Sequence, residues 1–304
     1  MVIHGFTGHC EEPFLQQIRS AFHEAGADVM IAELYGHGRS GGAFRNHTLY
    51  RWFSNLIRLI DEAKEHWMKP GQKLILCGHS QGGLSVLMAA AMKKDVVNGV
   101  IALAPALNIP EDARSGTLLG YAFNPDHIPD ELPANETDIL SGNYIRVAQT
   151  IFPEPVIRTY PGPVLVILGT ADESVPYQVS EQAMDYLSNG MLELIDGDTH
   201  CFDRYPDNVC QTAVRWLNMV CGMEETEDQT VYAVRSFNEI CIYSAGAGAW
   251  RFCIRISLYL IRQSDDAYHR HVLRSSACHR HDTLLQGEDF TFIAAEKGNG
   301  SQSV

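Results

Sequence analysis

The sequence has no excess of positive charge, no long apolar run and no paired cysteines, and each absence excludes a class of protein. Its formal net charge is −14, which disfavours nucleic acid and membrane surfaces as partners, because both select basic patches. No apolar run approaches the roughly 20 residues of a membrane helix, and the first residues lack the basic and apolar regions of a signal peptide. The sequence therefore predicts a cytoplasmic protein with neither nucleic-acid nor membrane partners.

The cysteines predict neither a disulfide framework nor a metal site. There are eight of them, none lies in a C-x-x-C pair, and the chain is too long for a small disulfide scaffold. We expect reduced thiols, because no ligand spacing matches a zinc site. No metal or organic cofactor is predicted, and the sequence leaves the oligomeric state open, a homodimer included.

Short apolar runs alternate with amphipathic stretches through much of the chain. The pattern predicts strands at 1–3, 29–32, 73–77, 97–104, 164–168 and 192–195, and helices at 13–25, 49–67, 84–92, 178–187 and 208–221. This alternation predicts an α/β fold, a mostly parallel sheet with helices on both faces. Residues 106–161 are rich in proline and predicted to be loop-like, a lid inserted over the carboxyl end of the sheet.

The composition changes after residue 222. We expect a catalytic domain over 1–222 and, after an acidic linker at 224–228, an extension of unknown structure over 223–304. Histidine, arginine and cysteine cluster at 269–271 and 278–281 without tetrahedral ligand spacing. The extension is interpreted as a poorly ordered segment or a reading-frame error, with a partner-binding tail as the alternative.

Residues 78–83 (GHSQGG) carry the strongest chemical signal. They fit the pattern G-x-S-x-G, with a predicted strand before them and a predicted helix after them. A sharp strand-to-helix turn exposes the hydroxyl of Ser80, and small flanking residues allow the backbone to turn tightly. The sequence predicts Ser80 as a nucleophile.

A serine nucleophile needs a base, and the base needs an orienting acid. His200 and Asp172 follow two further predicted strands, so that both fall on the same sheet edge as Ser80. We predict that His200 accepts the Ser80 proton and that Asp172 orients the imidazole. Three other acids compete for the role of Asp172. They are Glu173, Asp196 and Asp198.

The oxyanion of an acyl-transfer intermediate needs two N–H donors. We predict the backbone N–H of Gln81, the residue after the nucleophile, and that of Phe6 in the early loop at 4–8 (HGFTG). A second glycine pattern, at 36–41 (GHGRSG), matches the dinucleotide motif G-x-G-x-x-G. It is not expected to bind a cofactor, because no helix is predicted to begin directly after it.

These motifs resemble those of the cinnamoyl (feruloyl) esterases of gut and rumen bacteria, within the α/β-hydrolases, over residues 1 to about 222. The shared segments are 4–8, 78–83, 169–172 (GTAD) leading to 175–177, 197–202 (GDTHCF), and in the lid 124–130 (NPDHIPD) and 142–149 (GNYIRVAQ). The resemblance implies hydrolysis of feruloyl, p-coumaroyl and caffeoyl esters, as in plant cell-wall degradation. It places the triad on Ser80, Asp172 and His200.

The resemblance also implies donors at Phe6 and Gln81, and lid contacts to the phenolic end of the acid at Asp112 and Tyr144. Phe6, Tyr121, Phe123 and Tyr144 are expected to form apolar walls for a flat aromatic acid. Two departures from the family are the missing N-terminal strands, which suggest a truncated start, and the unmatched extension. The alternatives are a general short-chain carboxylesterase, lipase or thioesterase, and an inactive truncated remnant.

Overall fold

A computed structural model of the chain describes residues 1–135 and 137–222, together with four later backbone strands at Val231–Ser236, Glu239–Ser244, Asp282–Gln286 and Thr291–Ala295. The chain divides into two compact units. The larger is Met1–Val220 with His281–Lys297, and the smaller is Cys221–Arg280 with Gly298–Val304. All residues with a predicted catalytic or binding role lie in the larger unit.

Outside residues 106–161 and 223–304, the described strands and helices alternate as the sequence predicts. In chain order the strands are β1 (Val2–Ile3), β2 (Val29–Glu33), β3 (Leu74–His79), β4 (Val97–Leu103), β5 (Thr117–Leu118), β6 (Tyr121–Ala122), β7 (Glu131–Pro133), β8 (Ile139–Ser141), β9 (Val164–Gly169), β10 (Gly190–Ile195), β11 (Val231–Ser236), β12 (Glu239–Ser244), β13 (Asp282–Gln286) and β14 (Thr291–Ala295). The helices are α1 (Pro13–Glu24), α2 (Leu49–Glu62), α3 (Gln81–Met92), α4 (Ile109–Ser115), α5 (Asn143–Gln149), α6 (Pro153–Ile157), α7 (Tyr177–Ala183) and α8 (Pro206–Cys221).

The larger unit is built on an eight-stranded sheet in the order β10-β9-β4-β3-β1-β2-β14-β13. The strands from β10 to β2 are parallel to their neighbours. At the other edge, β14 is antiparallel to β2 and β13 is antiparallel to β14. The prediction of a mostly parallel α/β sheet covered by helices is confirmed.

Burial explains why these segments form strands and helices. Strand β9, which lies between β10 and β4, is buried along its whole length, as expected for a parallel strand covered on both faces. In α2, the side chains of Trp52, Leu56 and Leu59 are wholly buried, which is the 3.6-residue stripe of a helix that packs on the sheet. The predicted helix 49–67 ends earlier, at Glu62, and continues as a π-helical turn over Ala63–Trp67.

Residues 106–161 are not the loop that their prolines indicate. They contain the helices α4, α5 and α6 and two short hairpins, β5–β6 and β7–β8. Pro110 and Pro153 lie in the first turns of α4 and α6, where a missing N–H costs no hydrogen bond. Prolines interpreted as helix breakers therefore concealed two helices that carry proline in their first turn.

Four strands are described within residues 223–304. β13 and β14 form an antiparallel hairpin, and β14 pairs with β2 from Thr291↔Glu33 to Ala295↔Val29. In the smaller unit, β11 and β12 form a second hairpin. The predicted linker at 224–228 and the clusters at 269–271 and 278–281 lie outside the described residues.

Among the described residues, every helix is too short or too polar to cross a lipid bilayer.

Candidate active site

Ser80 lies on the tight turn between β3 and α3. Its backbone has φ 54° and ψ −120°, a conformation that residues other than glycine adopt rarely and at a cost in free energy. The Ser80 N–H donates to the carbonyl of Leu103 at 2.8 Å, and the Ser80 carbonyl accepts from the N–H of Ala106 at 3.0 Å. The end of β4 and the residues after it therefore hold the turn in its strained shape.

The glycines around Ser80 allow the backbone segments of the site to approach one another. A Cβ on Gly78 would overlap the carbonyl group of Gly82, and a Cβ on Gly82 would overlap the carbonyl oxygen of His4. No larger residue fits at either position unless the backbone moves. The pattern G-x-S-x-G thus brings the start of α3 against the loop that follows β1.

Ser80, His200 and Asp172 form a continuous chain of hydrogen bonds. His200 Nε2 lies 2.9 Å from Ser80 Oγ, and His200 Nδ1 lies 2.7 Å from Asp172 Oδ2. The other carboxylate oxygen of Asp172 accepts the N–H groups of Ser174 and Val175, each at 2.8 Å. The Asp172 side chain is wholly buried, so its carboxylate is fixed in orientation.

Two of the competing acids accept hydrogen bonds elsewhere, and the third is exposed. Asp196 is exposed and accepts the Thr170 hydroxyl at 3.1 Å. Asp198 is buried, but its Oδ1 accepts the backbone N–H groups of Thr199 and Arg204. Glu173 is exposed. Among the described acids, it is Asp172 that accepts a hydrogen bond from His200 Nδ1.

One predicted oxyanion donor, Gln81, directly follows Ser80, and the other, Phe6, follows Gly5, on which a Cβ would lie 3.1 Å from the Ser80 Cβ. Gln81 is the first residue of α3, where a helix leaves its N–H groups without an intrahelical acceptor. Within the described part of the chain, the Phe6 N–H is used in no hydrogen bond. The Phe6 ring packs on His47 and Tyr144, with ring centroids 5.3 and 5.9 Å away. Both N–H groups are thus available to an anion beside the serine.

Two buried histidines hold the loop that carries Phe6. His4 Nε2 accepts the N–H of Leu34 at 3.1 Å, and His37 Nε2 accepts the N–H of Thr7 at 3.3 Å. In each ring Nδ1 lies within hydrogen-bond distance of a backbone carbonyl oxygen. Because a carbonyl only accepts, Nδ1 must carry the proton that it donates. Both imidazoles are therefore neutral, with the proton on Nδ1.

Burial keeps these rings uncharged. It lowers the pKa of His4 to about 3, of His37 to about 4 and of His47 to about 3. All three rings contact the indole of Trp52, with ring centroids between 4.9 and 5.8 Å. Together they form a neutral aromatic layer behind the loop after β1.

The glycine pattern at 36–41 has a structural role. Gly38 leaves room for the carboxylate of Glu33, which a Cβ at this position would overlap. Glu33 is buried and accepts the N–H of Arg39 at 2.7 Å and the N–H of Cys10 at 3.1 Å. The next α-helix, α2, begins only at Leu49, so the loop does not open a helix as a dinucleotide site requires.

The two lid residues lie on helices that pack against each other, Asp112 on α4 and Tyr144 on α5. Asp112 accepts the side-chain amide of Asn108 at 2.8 Å, and burial raises its pKa. Tyr144 is wholly buried, and its hydroxyl donates to Gln81 Oε1 at 2.6 Å. Of the other predicted wall residues, Tyr121 is exposed and Phe123 is partly exposed.

Sequence reasoning missed the supporting histidines. His37 lies in the glycine pattern examined for cofactor binding, and His79 lies inside the serine motif itself. His4 begins the segment 4–8 from which Phe6 was predicted, and His47 lies in no predicted motif. The contacts of both rings with Trp52 are set by the fold. The described residues contain no group of three or more histidine, cysteine, aspartate or glutamate side chains placed to bind a metal.

Comparison with known proteins places this geometry in a family. The family model Hydrolase_4, described as serine aminopeptidase S33, matches residues 1–139. Est1E from Butyrivibrio proteoclasticus with ferulic acid bound is 42% identical, with a TM-score of 0.71 over 73% of this chain and 88% of that chain. A second structure of Est1E is 40% identical, with a TM-score of 0.67 over 73% and 87%.

More distant structures share the fold. One from the metagenome-derived lipolytic enzymes LipS and LipT is 21% identical, with a TM-score of 0.58 over 72% of this chain and 92% of that chain. No curated protein matches the chain at a significant level. From the two Est1E structures, the chain belongs to the cinnamoyl (feruloyl) esterase family of the α/β-hydrolase superfamily, and it is a serine-type carboxylic ester hydrolase.

Proposed function

We propose that the protein hydrolyses hydroxycinnamate esters, those of ferulate, p-coumarate and caffeate, through an acyl-enzyme on Ser80. The observation that carries the proposal is the chain of hydrogen bonds from Ser80 through His200 to Asp172, at 2.9 and 2.7 Å. The aromatic acid is supported by the likeness to Est1E, whose structure contains ferulic acid.

Acylation begins when His200 Nε2 accepts the proton of the Ser80 hydroxyl as Oγ bonds to the ester carbonyl carbon. The tetrahedral intermediate collapses, the bond from the carbonyl carbon to the alcohol oxygen breaks, and His200 returns the proton to that oxygen. Asp172 stabilises the imidazolium and keeps Nε2 directed at Ser80. The products of this half-reaction are the free alcohol and a Ser80 ester.

Deacylation repeats the sequence with water. His200 accepts a proton from water, whose oxygen attacks the acyl carbon, and then protonates Ser80 Oγ as the acid leaves. In both halves the negative oxygen lies beside the N–H groups of Phe6 and Gln81, the proposed oxyanion donors. Removal of one such donor typically lowers kcat about 100- to 1000-fold.

The acyl group is proposed to lie under the lid, with Asp112 and Tyr144 toward its phenolic end. Asp112 suits this role because its carboxylate is half-buried, where a hydrogen bond to a phenol is poorly replaced by water. Phe6 supplies an aromatic surface beside Ser80. Tyr144 meets Phe6 from α5, with ring centroids 5.9 Å apart.

A general short-chain carboxylesterase is the competing function. It is favoured by one observation: the hydroxyl of Tyr144 is already bonded to Gln81 and is not exposed. A Tyr144 hydroxyl that already donates to Gln81 has no free proton for a phenol, so the site lacks one contact that would favour an aromatic acid. The two functions therefore differ in acyl preference and not in the chemistry at Ser80.

The p-nitrophenyl esters of ferulate and butyrate distinguish the two functions, because their common leaving group makes the ratio of kcat/KM values report the acyl group alone. We expect the feruloyl ester to be preferred. A preference for butyrate would contradict the proposed substrate and support the general esterase. Hydrolysis of alanine p-nitroanilide in place of both esters would indicate the peptidase chemistry in the description of the matching family.

The Asp112→Asn variant tests the phenolic contact. We expect kcat/KM for the feruloyl ester to fall about 10-fold, because the neutral amide oxygen is a weaker acceptor for the phenol than the carboxylate, with the butyryl ester unaffected. Glu111→Gln is the matched control, since it removes the same charge from the same helix at an exposed position. Equal effects of the two variants, or equal losses on both esters, would exclude Asp112 from acyl recognition.

A further inference from the structure

The nucleophile and its base come from distant parts of the sheet. Ser80 follows β3 and His200 follows β10, and β4 and β9 lie between these strands. Neighbouring strands are about 4.8 Å apart, so the ends of β3 and β10 are about 14 Å apart. The His200 imidazole nevertheless lies 2.9 Å from Ser80 Oγ. The loop after β10 must therefore be held across two strands.

His79 makes a direct bond across this gap. It is the last residue of β3 and immediately precedes Ser80. Its Nε2 lies 2.9 Å from the backbone carbonyl oxygen of His200. A carbonyl only accepts, so Nε2 carries the proton and donates it. The residue beside the nucleophile thus holds the main chain of the base.

The surroundings of His79 fix its ring and its protonation state. The ring is buried and packs against both Phe14 and Phe202, with centroids 6.2 and 6.1 Å away. Burial, followed by the neighbouring His200, lowers the pKa of His79 to about 4. At neutral pH the ring therefore keeps its single proton, on Nε2, and Nδ1 stays unprotonated. Nδ1 lies next to Gly5, on which a Cβ would be only 3.2 Å away.

This bond differs from the other two that hold His200. Those to Ser80 and Asp172 belong to the proton-transfer chain, and their strength changes as the imidazole becomes an imidazolium. The bond from His79 goes to a main-chain carbonyl that takes no part in the chemistry.

We propose that His79 is a positioning residue that sets the distance between His200 and Ser80 by donating to the His200 carbonyl. The inference rests on the proposed triad but adds a residue whose bond goes to the His200 main chain and whose ring packs on the His200 imidazole, with centroids 5.0 Å apart. Removal of the donor leaves a carbonyl without its partner and frees the loop to shift. A misplacement of about 1 Å between reacting groups can lower a rate about 100-fold.

Two variants distinguish the loss of the His79 hydrogen-bond donor from the loss of the packing of its ring. His79→Gln retains an N–H at the reach of Nε2, whereas His79→Leu has a similar volume and no donor. The readouts are the rate at which a fluorophosphonate probe labels Ser80, and kcat and KM for p-nitrophenyl butyrate. For His79→Leu we expect kcat and the labelling rate to fall together, by about 10- to 100-fold, with KM within about twofold. His79→Gln should recover most of both rates.

Thermal melts show whether the variants fold. If His79→Leu does not melt cooperatively, His79→Asn takes its place, because its amide is one methylene too short to reach the His200 carbonyl. Wild-type rates in His79→Leu or His79→Asn, or a His79→Gln variant as slow as His79→Leu, would overturn the inference. Failure of the wild-type protein to label at Ser80 would instead overturn the proposed triad, and the inference with it.

Discussion

At the scale of single residues, the site depends on small side chains as much as on reactive ones. A Cβ on Gly5 would lie 3.1 Å from the Ser80 Cβ and 3.2 Å from His79 Nδ1. Both distances are shorter than an ordinary van der Waals contact, so the loop that carries Phe6 lies as close to the nucleophile as a glycine allows. This closeness holds Gly5, the residue before Phe6, against Ser80.

Gly5→Ala is therefore expected to damage catalysis more than folding. The added methyl group pushes the loop away from Ser80 by a few tenths of an ångström, and the Phe6 N–H moves with it. We expect kcat for p-nitrophenyl butyrate to fall about 10-fold or more, since oxyanion donors act only at correct geometry. Steady-state kinetics measure the loss, and a thermal melt checks the fold. Unchanged kcat in a folded variant would exclude the Phe6 loop from the oxyanion site.

The sequence pattern selected the three residues that the structure joins by hydrogen bonds, but not the residues that hold them in place. Ser80, His200 and Asp172 could be chosen because each follows a predicted strand, and parallel strands end at one edge. The roles of His37 and His79 depend on contacts with segments far away in the chain. No periodicity or spacing reports such contacts, so these two residues emerged only from the structure.

At the scale of helices and strands, the lid was the least predictable part. Its helices are short, from Pro153–Ile157 to Ile109–Ser115, and too brief to show a 3.6-residue pattern. The long helix α2 and the buried strands β4 and β9 were predicted to within a few residues. Long segments packed on the sheet carry a repeated signal, whereas short lid elements are set by tertiary contacts.

The hairpin β13–β14 gives an expectation about stability. β14 pairs with β2 along five residues, and its removal would expose the N–H and C=O groups of β2 at the sheet edge. Deletion of residues 281–304 is expected to lower the melting temperature and to promote aggregation, as followed by a thermal melt and size-exclusion chromatography. Deletion of 298–304 alone, which leaves the hairpin intact, is the control. Equal melting of the two deletions would contradict the β2–β14 pairing.

At the scale of the whole molecule, four neutral histidines make stability depend on pH. Burial lowers the pKa values of His4 and His47 to about 3 and of His37 and His79 to about 4, from 6.5. The unfolded chain therefore binds more protons than the folded chain below pH 6.5. The stabilisation is present above that pH and is lost as the pH falls toward the folded-state values.

We expect the free energy of unfolding, measured with urea, to be lower at pH 5.5 than at pH 7.5. Each buried histidine contributes up to about 1.4 kcal/mol per pH unit below its unfolded pKa. His47→Asn should reduce this pH dependence by the share of one histidine, whereas the exposed His66→Gln should leave it unchanged. Equal stability at the two pH values would show that these rings are not held neutral by burial.

The overall architecture was predictable because alternating strands and helices admit few arrangements. A parallel sheet with its chemistry at the carboxyl ends of the strands follows from that alternation. The pairing of β14 with β2 was not predictable, because a five-residue strand near the end of the chain has no local feature that selects its partner. The eight-stranded sheet is thus a property of the structure that the sequence pattern alone does not reveal.

The central claim is that Ser80 is the nucleophile of an esterase that accepts aromatic acids. The most direct measurement is the release of ferulate from methyl ferulate, followed by chromatography, by the wild-type protein and by Ser80→Ala. The account predicts release by the wild type and a fall in kcat of about 10⁴-fold or more in the variant, with an unchanged thermal melt. Release by Ser80→Ala at a rate near that of the wild type would contradict it.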